Sequence, residues 1–561
     1  LSFIRCPGQH LANREPESDA MQGLMQDWPL LVPTILDHAR LNHPEREVVS
    51  RSVEGPIHRY TYRELHGRAK RCAKALTRLG LRQGDVVATL AWNTHRHMEV
   101  WYGIMGIGAV CHTLNPRLFV DQLVYIANHA EDRYLLLDLT FVPIAEAIAE
   151  RCPTIKGYII MTDRAHMPVT KLRNTLCYEE LLAAEDENFD WVVVDERAAA
   201  GMCYTSGTTG NPKGVVYSHR SNVLHALAIN NADVLGLRSA DAVMPIVPLF
   251  HANAWGITFA APMSGAKIVN PGPKLDGPSV FQLLEEEAVT CTAAVPTVWL
   301  ALLQYLEAEQ KRLSTLQRVL VGGAACPRVV MEKFEHTYGV TVLHGWGMTE
   351  MSPMGTTSHI KASLQARPAA EQFAYKLKQG RPFYTVEMKI VDDNQRELPR
   401  DGKTFGNLLV RGPAIAKSYH KGEGGSILDE QGFFDTGDVA TIDEYAFMQI
   451  TDRAKDVIKS GGEWISSIDV ENIAVGHPHV AEAAVIGLPH PKWGERPLLI
   501  VVKKPDCTLT KPELLQYLEG KIAKWWTPDD VVFMDEIPHT ATGKIQKREL
   551  RERWKDHKLP S

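Results

Sequence analysis

Between two apolar, strand-like runs, Gly201-Met202-Cys203 and Val215-Val216-Tyr217, the chain reads Tyr204-Thr205-Ser206-Gly207-Thr208-Thr209-Gly210-Asn211-Pro212-Lys213-Gly214. Four hydroxyls, three glycines and a lysine within ten residues make a loop whose N–H groups and short side chains can wrap a polyphosphate. The order is not that of a Walker A loop, since G-x-x-x-x-G-K-[ST] fails and a strand rather than a helix follows. A nucleophile elbow centred on Ser206 is also excluded, because Tyr204 and Thr208 stand where that turn needs glycine. Taken alone, the loop is a phosphate cradle whose alternative is a flexible Thr/Gly surface turn.

The elements that must position such a loop are legible upstream. Leu65, Ala69, Cys72, Ala73, Leu76 and Leu79 recur at helical spacing after Thr61, a plausible N-cap, and before Gly80, a helix stop. The run Val86 to Ala91 reads as a strand, the stretch around Met98, Trp101 and Met105 as a helix, and Ala109 to Leu114 as a strand again. Gln122 to His129 with Tyr134 to Leu139, and Phe141 to Arg151 with Tyr158 to Thr162, continue the alternation. That rhythm predicts an α/β domain with a largely parallel sheet. Beyond about residue 380, short segments such as Val386 to Val391 and Gly406 to Arg411 lie between turn residues and predict antiparallel β structure. A domain boundary is expected at Lys455, inside the charged stretch Thr451 to Asp456, which leaves a small C-terminal domain; Gly422 to Gly425 reads as a turn.

Composition narrows the function classes. At 561 residues the chain is too long for one core, and 45% hydrophobic with 23% charged residues is ordinary for a globular protein. A net charge of −6 with no long polybasic block argues against a general nucleic-acid binder. Nine scattered cysteines without a C-x-x-C pair argue against a disulfide framework or structural zinc, and point to a reducing, cytoplasmic compartment. The longest apolar run, Trp101 to Cys111, is about half of what a spanning helix requires. Residues 1–20 are expected to be a leader or an expression-added segment, with Met21 as the native start. Gly106-Ile107-Gly108 lacks the third glycine of a dinucleotide fingerprint, no H-E-x-x-H occurs, and His477-Pro478-His479 is expected to be a turn.

With its companions, the loop resembles the signature of the adenylate-forming superfamily of acyl-CoA synthetases, luciferases and peptide-synthetase adenylation domains. The companions, in family order, are Pro248-Leu249-Phe250-His251-Ala252-Asn253-Ala254-Trp255-Gly256, Gly322-Gly323-Ala324-Ala325 and Gly345-Trp346-Gly347-Met348-Thr349-Glu350. Phe434 to Asp438, Asp452 to Asp456, Ser460-Gly461-Gly462-Glu463-Trp464 and Pro538 to Lys547 follow. The resemblance implies a large domain (21–454) of α/β layers with a β-barrel-like portion, and a small mobile α+β domain (455–561) hinged at Lys455.

It also implies a two-step reaction: a carboxylate attacks the α-phosphorus of ATP, giving an acyl-adenylate and pyrophosphate, and a thiol then displaces AMP. By resemblance Thr205, Ser206, Gly207, Thr208, Thr209, Gly210 and Lys213 hold phosphates, and Gly323, Ala324, Ala325, Gly345, Trp346 and Gly347 line the nucleotide site. Thr349 donates to the α-phosphate, Glu350 with Thr205 serves Mg²⁺, Asp438 and Arg453 meet the ribose, and Lys544 bridges carboxylate and α-phosphate. Ser460, Gly461, Gly462, Glu463 and Trp464 belong to the thioester step. His251, Trp255, Val295, Pro296 and Gly323 are the expected acyl pocket, with His251 also a catalytic candidate.

Amino-acid-activating relatives carry an Asp four residues before the loop Trp, where this chain has His251, so a plain carboxylic acid is expected, and CoA as the free thiol. A medium-chain fatty acid is the first expectation, 3-methylmercaptopropionate or another short acid the alternative, and a luciferase-like oxidation a more distant one. The cations from Lys547 to Lys558 alternate with acids and are expected to form a solvated helix face. Oligomeric state is open, with a homodimer the family's common form.

Overall fold

Thr61 accepts from the Glu64 N–H while the Glu64 carboxylate takes the Thr61 N–H, and this capping box opens the helix Tyr62–Arg78. Leu65, Ala69, Cys72, Ala73 and Leu76 on it are buried, so the spacing read along the sequence is that of a core-facing stripe. The computed structural model describes residues 21, 23–205, 211–453, 456–460, 463–505, 507–539 and 544–560, without the side chains of Glu463 and Trp464, and the counts given refer to these residues. Residues 1–20, the loop centre Ser206 to Gly210, the expected hinge Lys455, and Gly461 with Gly462 lie outside the described residues.

Two sheets dominate the large domain. The first has seven strands in the order Thr175–Cys177, Gly157–Ile160, Tyr134–Leu137, Val86–Leu90, Val110–Thr113, Ala199–Tyr204 and Gly214–Ser218. All neighbours are parallel except the last pair, an antiparallel hairpin. Parallel neighbours require crossover helices, which is why His95–Gly106, Val120–Ala130 and Val142–Ala149 alternate with strands as expected. The second sheet has nine strands with a parallel centre, including Ala242–Pro245, Cys291–Ala294, Arg318–Val321 and Thr341–Gly347, and antiparallel edges. Helices shared between the sheets build one large core around Trp101, Tyr102 and Phe259.

After residue 380 the texture changes as the short turn-bounded segments indicate. Glu387–Val391, Gly406–Arg411, Phe434–Ile442 and Met448–Arg453 form an antiparallel four-stranded meander packed on Trp346 and Met351. The small domain is a five-stranded sheet centred on Gly494–Lys503, with the helices Ser467–Val475 and Lys511–Leu518 closing its core. No helix among the described residues is long and apolar enough to cross a membrane. All eight described cysteines are free, and seven are buried.

One expectation is corrected. Lys547 opens the short helix Lys547–Arg553 but is not on a solvated face; it is 9% exposed. Its ammonium lies 2.9 Å from Glu471 and 3.8 Å from Asp452 and also meets the Ser467 hydroxyl, which in turn donates to Asp452. Asp452 ends the meander, whereas Ser467, Glu471 and Lys547 belong to the small domain, so the cluster ties the two together beside the expected hinge. Periodicity along one helix could not show this, because the two acids arrive from other elements. Lys547→Ala leaves two buried carboxylates without their cation and is expected to destabilise the protein by about 3 kcal/mol or more. Urea denaturation followed by tryptophan fluorescence reads this directly, and an unchanged midpoint would show that the cluster is solvated.

Candidate active site

The phosphate-type loop is the tip of the Ala199–Tyr204 and Gly214–Ser218 hairpin, at the edge of the seven-stranded sheet. Its base is closed by Thr205 and Lys213: the Thr205 N–H donates to the Lys213 carbonyl at 2.9 Å, and the Lys213 N–H to the Thr205 hydroxyl at 3.4 Å. Paired strands thus hold the two ends of the loop together. The Lys213 ammonium sits 4.8 Å above the Tyr419 ring.

Thr349 and Glu350 follow the strand Thr341–Gly347 in a single 3₁₀ turn, both buried. The Tyr217 hydroxyl donates to the Thr349 carbonyl at 2.8 Å, and the Tyr419 hydroxyl to Glu350 Oε1 at 2.7 Å. Asp438 and Arg453 face each other across adjacent strands of the meander, in register, with Arg453 Nε 2.8 Å from Asp438 Oδ1. The other Asp438 oxygen accepts from the Trp346 indole at 2.9 Å. A buried carboxylate so held keeps a fixed orientation and spare lone pairs for hydroxyl donors.

Lys544, from the small domain, joins this group. Burial pushes its ammonium down to about 8; Arg453 adds to the shift, while Asp438 and Glu350 oppose it. His251 is within electrostatic reach as well: burial lowers its imidazole to about 4, with Lys544 and Arg117 contributing. Glu350, Asp438, Arg453 and His251, up to 293 positions away in the chain (251 to 544), therefore lie within electrostatic reach of Lys544.

Trp255, expected in the acyl pocket, is buried. Ala252, Asn253, Ala254 and Trp255 all have positive φ, between 45° and 57°, a left-handed turn of non-glycine residues that costs about 1–2 kcal/mol per residue. Asn253 is held there by Asn222, whose side-chain oxygen accepts at 3.2 Å. The indole lies on Gly322 and Gly323: a Cβ on Gly322 would sit 3.0 Å from it, and one on Gly323 3.1 Å from Val295. Val295 caps the helix Pro296–Ala308, and Ala324 and Ala325 continue the exposed loop past Gly323. Beside His251 a small crevice is lined by Thr113, Asn115, Leu118, Tyr204 and Phe250.

Ser460 is not in this group; it is fully buried in the small domain, 3.4 Å from Arg496 Nη1. Gly345 and Gly347 flank Trp346 on the strand that carries it. Sequence reasoning missed Tyr419, Asn222 and Arg117, which belong to no motif singled out there and are recruited only by folding. Among the described residues no three His, Cys, Asp or Glu side chains gather to hold a metal. A cation here would share the Glu350 carboxylate with phosphate oxygens, a hard donor set that fits Mg²⁺.

The comparisons agree with this geometry. A family model described as AMP-binding enzyme matches residues 36–420, and one described as AMP-binding enzyme C-terminal domain matches 469–544. The chain is 48% identical over 536 residues to a 3-methylmercaptopropionyl-CoA ligase of Ruegeria lacuscaerulensis, covering 96% of this chain and 99% of that protein. It is 46% identical over 541 residues to a medium-chain-fatty-acid–CoA ligase of Ectopseudomonas oleovorans, with the same coverage. The crystal structure of the anthranilate CoA ligase AuaEII in complex with anthranoyl-AMP superposes with a TM-score of 0.84 at 25% identity, over 94% of this chain and 98% of that one. CoA ligases of this family use ATP, Mg²⁺ and CoA. With its ordered motifs, two-domain fold and gathered cleft, the chain belongs to the AMP-binding enzyme family and is an AMP-forming acid–CoA ligase.

Proposed function

We propose that this ligase activates acids with a linear acyl chain, medium-chain fatty acids first, and that Lys544 is the residue on which adenylate formation turns. The observation that carries the reading is the position of Lys544 beside Glu350, Asp438, Arg453 and His251. In-line attack on phosphorus demands alignment and charge neutralisation more than covalent help. Lys213 and the loop from Thr205 hold the β- and γ-phosphates, Thr349 donates to the α-phosphate, and Asp438 with Arg453 orients the ribose. Bound at Glu350, Mg²⁺ supplies neutralisation of phosphate charge. Lys544 binds the carboxylate and the α-phosphate together, so that two anions approach without mutual repulsion.

A neutral His251 suits this arrangement, since it offers no counter-charge to a substrate ammonium and adds no cation beside Lys544. Rotation of the small domain about Lys455 then withdraws Lys544 and brings the Ser460 to Trp464 segment to the adenylate for attack by CoA. Trp255, Val295, Pro296 and Gly323 wall the acyl site. The second reading, a short thioether acid, is favoured by the name of the Ruegeria relative. The eight described cysteines, all free, support cytoplasmic residence, and the family resemblance supports a homodimer.

Three outcomes test these roles. Lys544→Ala is expected to slow pyrophosphate release by about 100-fold or more while supplied acyl-adenylate is still converted to thioester; equal loss of both half-reactions would remove Lys544 from the adenylation step. Because Lys544 acts as a cation with a value of about 8 in the free enzyme, kcat/KM for adenylation should fall as pH rises through that value. Lys544→Arg, charged throughout, should lack that limb at whatever rate it retains. Across unbranched acids, kcat/KM should rise about fourfold per methylene up to medium length, and a sharp optimum at the short thioether acid would select the second reading.

A further inference from the structure

Tyr419 stands between two groups that a bound nucleoside triphosphate must bridge. Its hydroxyl donates to Glu350 Oε1 at 2.7 Å, and its ring lies 4.8 Å beneath the Lys213 ammonium. The segment that carries it is anchored on both sides. The Ala416 N–H donates to the Glu350 carbonyl at 2.8 Å, and Lys421 pairs with Glu131 at 2.6 Å. The Tyr125 hydroxyl donates to Glu423 at 2.7 Å; Tyr125 also stacks on His129, which shares a 2.7 Å hydrogen bond with the Tyr204 hydroxyl at the base of the phosphate loop. Gly424 completes the strap: a Cβ there would come within 3.0 Å of Lys213 Nζ. Residues 416–424 therefore lash the phosphate-loop hairpin, the helix Val120–Ala130 and Glu350 to one another.

We propose that Tyr419 is a positioning residue, whose hydroxyl holds one oxygen of Glu350 so that the other faces the metal, and whose ring holds Lys213 toward the phosphates. The inference rests on the reading of Glu350 as the Mg²⁺ ligand. Mg²⁺ takes near-octahedral geometry with short bonds and keeps several waters, so it gains little from a carboxylate that can rotate or chelate through both oxygens. A carboxylate with one oxygen already engaged offers a single, aimed donor. Under Lys213 the aromatic face holds a cation without neutralising it, as a carboxylate partner would. One side chain thereby sets the spacing between the metal ligand and the lysine, two of the contacts that share the triphosphate charge. Its ring also packs against Cys203, Val215 and Tyr217 of the phosphate-loop hairpin, which fixes its place between Glu350 and Lys213.

The test is calorimetric titration of the full-length protein with α,β-methylene-ATP, in Mg²⁺ and in chelator. Tyr419→Phe keeps the ring and removes the hydroxyl; binding in Mg²⁺ should weaken about 10-fold and binding in chelator should stay within about twofold. Tyr419→Leu removes both contacts and should weaken binding in the two conditions. Wild-type affinity of Tyr419→Phe in both conditions, or equal weakening in both, overturns the proposal. Should Tyr419→Leu fail to fold, judged by its thermal melt, the Tyr419→Phe pair of titrations decides alone. Glu350→Gln separates the two layers of the argument. If it retains the Mg²⁺-dependent gain, the metal assignment fails and the role of Tyr419 fails with it. If it loses that gain while Tyr419→Phe does not, only the role of Tyr419 fails.

Discussion

An ammonium in a partly buried cleft is the interaction on which the rest of this structure depends. Lys544 is drawn in by Glu350 and Asp438, opposed by Arg453 and by burial, and left with a value near 8, so charge and neutrality are separated by a small free energy. Such a group is poorly stabilised by the protein alone and gains from anions delivered as substrates. The large domain supplies a rigid, hydrogen-bonded setting, in which Asp438 is held by Trp346 and Arg453, and Glu350 by Tyr419. The small domain supplies the cation. On the proposed reading, catalytic competence is a property of how the two domains meet.

That division explains where the polar groups are buried. The Asp452, Ser467, Glu471 and Lys547 cluster joins the last strand of the large domain to the small one a few residues from the expected hinge. Burial lifts the Glu471 carboxyl to about 7, which marks a costly environment for charge. Buried ionic networks are weak sources of stability, since desolvation offsets much of their Coulombic gain, but they discriminate strongly between arrangements. The left-handed turn at Ala252 to Trp255 is another unfavourable local conformation, held by Asn222 and by close packing of the indole on Gly322. Both features carry local cost where surrounding structure over-determines geometry.

Much of the architecture was legible along the chain. The capped helix Tyr62–Arg78, the alternation of strands and helices to Ile160, the antiparallel segments after residue 380 and the loop between two strands all follow from local periodicity and turn chemistry, and local signals are short-range by nature. The ordered motifs assign Lys544, Glu350, Asp438 and Arg453 to one reaction as an expectation; in the fold Arg453 pairs with Asp438, and Lys544 lies within electrostatic reach of Glu350, Asp438 and Arg453. Lys547 shows the limit of that approach. Its alternation with acids is the pattern of a solvated face, yet helix Ser467–Val475 and strand Met448–Arg453 bring carboxylates to it from 76 and 95 residues away (547 − 471 and 547 − 452).

From the sequence alone came the family and the layered fold, because each is written in residues adjacent in the chain or in motifs with a fixed order. Tertiary structure decided that Tyr419 joins Glu350 to Lys213, that Trp255 rests on Gly322 in a left-handed turn, and that Lys547 is buried. These depend on which surfaces meet when two sheets, a meander and a small domain pack together. Packing selects neighbours by shape and by the need to satisfy buried polar groups, and neither constraint leaves a periodic trace in the chain.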